Sequence, residues 1–194
     1  MLFHYTVIIE RYVPNFHVKY SFTYGYFGVE LFFIISGFVI FMSIQRSQTG
    51  LDFVVSRFSR LYPTFWVCLS LTFIIGLASP LTSQNYTVLQ YLSNLTMLQE
   101  YIKQPNIDGV YWSLTYELGF YFVMLTIFQL KQLKHIEKFC LLWTVTPLIF
   151  HYYYPYIPHP LHYLFLINKY SHLFAVGICF FIIKTNFQHY AGLS

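Results

Sequence analysis

The chain has 194 residues, of which 57% are hydrophobic, 23% aromatic and only 9% charged, with a net charge of +4. Soluble domains carry about 25% charged residues, so this composition excludes a domain with an ordinary water-facing surface. The small positive balance reads as loop asymmetry between membrane faces rather than as a nucleic-acid surface, and no nucleic-acid partner is expected.

Residues 1–9 (MLFHYTVII) are apolar but rise only about 14 Å, against a hydrocarbon core of about 30 Å. They read as the end of a helix whose beginning is missing, and they carry His4. Pro14-Asn15 marks a turn. The run 27–44 is long enough to span a bilayer, with Glu30 near its mouth and a small-residue break at Ser36-Gly37. Residues 45–52 read as a loop. Residues 53–62 alternate apolar and basic residues and read as a short helix lying along the membrane surface. Pro63 then stands where a helix tolerates it, at the first position of a span over 64–79. Ser79-Pro80 ends that span.

Between 82 and 108 the chain is mixed, with a short interfacial or re-entrant helix within 88–98 and a turn at 106–109. Further spans are expected at 111–130, 139–153 and 171–183. No disulfide or zinc spacing links Cys68, Cys140 and Cys179, which read as buried inert thiols. His159 and His162, with His151 and His172 nearby, match no zinc signature, and no metal site is expected. The fold class is therefore all-α, a polytopic integral membrane helical bundle forming one domain over 1–194.

If the spans alternate, one side receives Arg46, Arg57, Arg60, Lys131, Lys134, Lys138 and Lys184, and the other Arg11, Lys19, Lys103 and Lys169. The first set is larger and sits in shorter loops, which places it in the cytoplasm of a multi-pass protein of the cell's inner (plasma) membrane.

A few residues stand out as chemistry. Arg57 and Arg60, three apart, share a helix face, where two guanidinium forks suit phosphate oxygens. Positive-inside anchoring explains such a pair equally well. Glu30 is either a pore-lining carboxylate or a solvated group at headgroup level. Ser113, Glu117 and Tyr121, at i, i+4 and i+8, form one polar stripe on an apolar helix. Glu117 needs a partner there, a histidine or arginine from another helix, or serves as a structural hydrogen-bond acceptor. His4, alone a packing residue, becomes an acid/base candidate if Glu117 orients its ring. A proton or solute pathway through Glu30, Glu117 and His4 is the competing, non-enzymatic reading.

The stretches GYFGVELFFIISGFVI, SRFSRLYP and YWSLTYELGFYF occur in this order, with Asn94-Leu-Thr before the third. Together they resemble the membrane acyltransferase 3 family, the O-acetyltransferases of bacterial polysaccharides and related acceptors. Gly28 to Phe38 matches the family's second helix, Arg57, Arg60 and Pro63 its Arg-x-x-Arg-x-x-Pro pattern, and Trp112, Ser113, Leu114 and Glu117 its Trp-Ser-Leu-x-x-Glu pattern. His4-Tyr5 matches the close of the family's first helix. The resemblance implies acetyl transfer from cytoplasmic acetyl-CoA, a donor substrate rather than a permanently bound cofactor, to a glycan hydroxyl at or beyond the outer face. It implies His4 as general base, Glu117 as its orienting acid and Arg57 and Arg60 as holders of the CoA phosphates. Glu30, Ser36, Ser113 and Tyr121 line the passage between. Family domains have about ten spans, so the resemblance also implies a domain incomplete at both ends. The missing spans belong to a longer gene product or a partner chain, or the chain is an inactive remnant.

Overall fold

The computed structural model describes residues 27–78, 86–153 and 159–190. The expected partial helix at 1–9 with His4, the Pro14-Asn15 turn and the Ser79-Pro80 break lie outside the described residues. Among those described, the chain is helical, without strands. Its elements are α1 (Phe27–Arg46), α2 (Gly50–Ala78), α3 (Val88–Leu95), α4 (Trp112–Gln129), a 3-10 turn (Leu133–His135), α5 (Ile136–Tyr153) and α6 (His159–Tyr190).

By length and composition α1 and α2 are each able to cross a bilayer. The helix α4, interrupted by its polar stripe, qualifies only together with 133–145, from which it is bent by 112°. The expected spans at 111–130 and 139–153 are thus the two arms of one bent pair. The last expected span, 171–183, is the inner part of a helix that begins at His159.

One expectation is corrected in α2. Residues 53–62 and 64–79 are not a surface helix followed by a span; they are one 29-residue helix running through Pro63. Its start is fixed upstream by a capping box: Thr49 N–H donates to Asp52 Oδ2 (2.8 Å), and Asp52 N–H donates to Thr49 Oγ1 (3.1 Å). Pro63 removes only the bond to the Ser59 carbonyl, a loss that membrane helices accommodate. The loop before it shrinks from 45–52 to 47–49. At 1.5 Å per residue α2 is about 43 Å long, which exceeds a hydrocarbon core of about 30 Å. Arg57 and Arg60 lie in its first three turns.

The bundle centres on α1. Its buried face, Phe33, Ser36, Gly37, Ile40, Phe41 and Ile44, packs most extensively on α6 and also meets α4. The rings of Phe33 and Phe174 stand 5.0 Å apart, and Phe120 stacks on Phe174 at 4.1 Å. Contacts rise together in number, Phe33 with Trp112 and Ser36 with Glu117, and Phe33 with Phe174 and Phe41 with Phe181. The helices α1, α4 and α6 therefore run in the same direction, as alternating spans require. Gly50 lies against Leu125 and Gln129, which brings the basic segments 46–60 and 131–138 to one end of the bundle.

The α1–α6 seam is close because two glycines face it. A Cβ on Gly37 would run into the Phe174 backbone carbonyl, and one on Gly177 into the Ile34 carbonyl. Neither obstacle is a side chain able to swing aside, so the helices themselves would have to separate. Replacing Gly177 by alanine is expected to lower the thermal unfolding midpoint in detergent by several degrees, corresponding to about 1–3 kcal/mol of overpacking. Alanine at the open Gly28, where a Cβ meets nothing, is expected to leave it unchanged.

The second half of α2 holds a separate layer. Phe65 and Leu69 pack with Met97, Ile107 and Tyr111, so the loop after α3 folds over the helix. Asn94, fully buried, stitches that loop: its amide donates to the Gln90 and Pro105 carbonyls and its oxygen accepts from Ile107 N–H. Trp66 Nε1 donates to the Leu95 carbonyl at 3.0 Å. The expected helix within 88–98 and the turn near 106–109 are both present. Cys140 is buried, but Cys68 and Cys179 are exposed, a correction to the expectation of three buried thiols.

Candidate functional site

Helix α4 buries Glu117, Phe120, Met124 and Ile127, positions spaced as one helical face. Glu117 thus occupies a core position, with 8% of its surface exposed. Its Oε1 accepts a hydrogen bond from Tyr121 Oη, one turn on, at 2.7 Å, and a longer one from Ser36 Oγ of α1 at 3.4 Å. A carboxylate in such a seam is tolerated only when its lone pairs are engaged. The polar stripe read from spacing is therefore real for Glu117 and Tyr121, and Ser36 joins it across the helix seam. Ser113 turns elsewhere: its hydroxyl donates to the Val110 carbonyl at 3.1 Å. Glu30 stands half-buried in the first turn of α1 and shares no hydrogen bond with Glu117.

Arg57 and Arg60 share a face of α2, as their spacing requires, but their environments differ. Arg60 is exposed, whereas Arg57 is 8% exposed. The Arg57 guanidinium makes a 3.4 Å contact with Ser56 Oγ, and its Nε is buried without a hydrogen-bond partner among the described residues. A buried guanidinium with an unsatisfied N–H carries a desolvation cost. Both arginines act electrostatically on Glu117 and Tyr121.

Two cavities meet at Arg57. The first, about 570 Å³, is lined by Arg46, Arg57 and Arg60 with Ser43, Ser47, Gln48, Asp52 and Ser56. Its size falls within the range of small-molecule sites. The second, about 240 Å³, is apolar and runs past Phe53, Phe58, Leu118, Phe122 and Leu125 to Tyr121. Arg57 lines both, so a basic cavity and an apolar one share a residue, and the apolar one includes Tyr121, the hydrogen-bond partner of Glu117. Chemically this suits a ligand with anionic groups at one end and a reactive uncharged end near the carboxylate. Spacing analysis did not single out Arg46 for the site. The signal was available, since Arg46 ends α1 only three residues before the capping box that starts the arginine helix.

A model of the family described as "Acyltransferase domain" matches residues 1–188. The chain is similar to exopolysaccharide production protein ExoZ of Rhizobium meliloti (strain 1021), 29% identical over 111 residues, covering 54% of this chain and 34% of that protein. It is also similar to nodulation protein 10 of Rhizobium leguminosarum bv. viciae, 30% identical over 118 residues, covering 50% of this chain and 31% of that protein. Acyltransferase MdmB of Streptomyces mycarofaciens is 29% identical over 105 residues, covering 51% and 27%. The matches thus span about a third or less of these relatives' lengths. No solved structure gives a significant match. With the family model covering nearly the whole chain, and the apolar helices and motif residues arranged as described, the chain belongs to the membrane acyltransferase 3 family.

Proposed function

We propose that this chain forms the donor-binding and catalytic part of an integral membrane O-acyltransferase, multi-pass in the inner membrane, with its arginine-rich end cytoplasmic. The donor is acyl-CoA, and the acceptor is a hydroxyl of a cell-surface glycan or lipid-linked saccharide. The observation that supports this reading is that Arg57 lines both the three-arginine cavity and the apolar cavity that includes Tyr121, which is bonded to Glu117 and, through it, to Ser36. Arg57 and Arg60 hold CoA phosphates, since guanidinium forks match phosphate oxygens. The pantetheine arm follows the apolar passage inward.

At the inner end His4 acts as general base, held by Glu117. The acceptor oxygen attacks the thioester carbonyl carbon as His4 takes the hydroxyl proton. The carbon–sulfur bond then breaks, and the proton passes from the imidazolium to the leaving CoA thiolate. Glu117 stabilises the transient imidazolium and fixes the ring's tautomer, while Tyr121 and Ser36 hold the carboxylate in place. The name of ExoZ associates a relative with exopolysaccharide production, which supports a saccharide acceptor here.

The test is transfer of radiolabel from [acetyl-14C]CoA to glycan in membranes carrying the protein. Acceptor-dependent labelling is expected, with loss of at least about 100-fold in His4→Ala at unchanged membrane insertion. Undiminished labelling in His4→Ala removes that residue from the mechanism. Absence of labelling alongside proton-coupled solute flux favours the pathway reading instead.

A further inference from the structure

The basic cavity holds one arginine more than a diphosphate needs. Arg57 also lines the apolar cavity that includes Tyr121, the partner of Glu117, and Arg60 stands about one turn further along α2, whereas Arg46 is the last residue of α1. Along α1, Arg46 lies ten residues beyond Ser36, about 15 Å further from the carboxylate cluster. It is exposed, whereas Arg57 at the inner wall is buried with Nε unpartnered. The cavity thus presents two cations near the reacting end and one at its far lip. The one carboxylate among its lining residues, Asp52, caps the start of α2 through Oδ2, which accepts from the Thr49 backbone N–H.

This spacing matches the order of anionic groups along a CoA molecule. The diphosphate follows the pantetheine arm, and the ribose 3′-phosphate lies beyond it, furthest from the thioester. We propose that Arg46 is the specificity-determining residue for the 3′-phosphate of the donor, with Arg57 and Arg60 on the diphosphate. The assignment rests on the acyl-CoA reading above. It also gives the short 47–49 connection a role: a three-residue link holds Arg46 against the start of α2, so all three guanidinium groups open on one cavity.

The test compares CoA with 3′-dephospho-CoA, which differs only in that group. Binding is measured by equilibrium dialysis on the 194-residue chain in phosphatidylcholine nanodiscs. The unaltered protein is expected to bind CoA about tenfold more tightly than 3′-dephospho-CoA, the strength of one charge-assisted hydrogen-bonded contact. Arg46→Gln is expected to erase that difference by weakening CoA alone, and Arg46→Lys to keep part of it. Arg60→Gln is expected to weaken both ligands alike. If Arg46→Gln weakens both equally, or neither, Arg46 is not the 3′-phosphate's partner, while the donor reading stands. If the unaltered protein binds neither ligand, the acyl-CoA reading itself falls, and this inference with it. Arg46 is exposed at a helix end, so its replacement leaves the core intact and a null result cannot be blamed on misfolding.

Discussion

Glu117→Gln is expected to abolish acyl transfer and yet to stabilise the protein. Glutamine has the shape of glutamate, and its side-chain oxygen still accepts from Tyr121 and Ser36 at the observed positions. A carboxylate that served only as an interhelical acceptor would therefore be replaced without consequence. A carboxylate that orients an imidazole and stabilises its cation would not. The amide offers no charge and the wrong donor pattern, and the loss should reach about 10²- to 10⁴-fold in kcat, the range of general acid–base contributions. Stability should move the other way, because a charge 8% exposed in an apolar seam is costly to bury and its neutral isostere is not. Two measurements decide the matter: the initial rate of glycan acetylation and the thermal midpoint in the same detergent. Full activity in the variant makes Glu117 structural. Tyr121→Phe gives the graded comparison, since it removes the 2.7 Å bond and leaves the charge, and a smaller rate loss is expected.

Where sequence reading succeeded, it did so because a period carried the information. Glu117 and Tyr121 fall one turn apart, and Arg57 and Arg60 three residues apart, so helical geometry alone put each pair on one face. Helix existence was legible for the same reason, since long apolar runs have few alternatives. Helix limits were less so. Pro63 reads as a start signal, yet the Thr49–Asp52 capping box, eleven to fourteen residues upstream, sets the start of α2 and the helix runs on. Contacts between helices left one mark, the small-residue pair Ser36-Gly37, where another helix does approach closely, and little else. Nothing at Ser36 announces that it meets Glu117, 81 positions away. Gly177 lies within an unremarkable apolar run, and only the packed seam shows that its missing Cβ is required. The unequal burial of Arg57 and Arg60 is of the same kind. Their spacing is symmetric, and the difference arises only from what packs around the helix.

That inequality makes Arg57 the residue whose loss should matter most to donor binding. Arg57→Gln is expected to raise KM for acetyl-CoA by at least about 30-fold with a smaller change in kcat, and Arg60→Gln by about three- to fivefold. The reason is dielectric. An exposed guanidinium attracts phosphate through water and is screened within about 8 Å at physiological ionic strength, whereas a buried one is not. Raising salt should therefore shrink the Arg60 effect and leave the Arg57 effect nearly intact. Arg57 also carries a desolvation cost, with Nε lacking a hydrogen-bond partner among the described residues. Supplying the anion should relieve it, so CoA at about 100 times its Kd should raise the stability of the unaltered chain by roughly 2.7 kcal/mol. Arg57→Gln should lose most of that gain while being at least as stable as the unaltered chain without ligand, since the buried charge has gone. Equal KM effects for the two arginines, both abolished by salt, would make the pair surface anchors facing lipid headgroups, and the basic cavity would then not be the donor site.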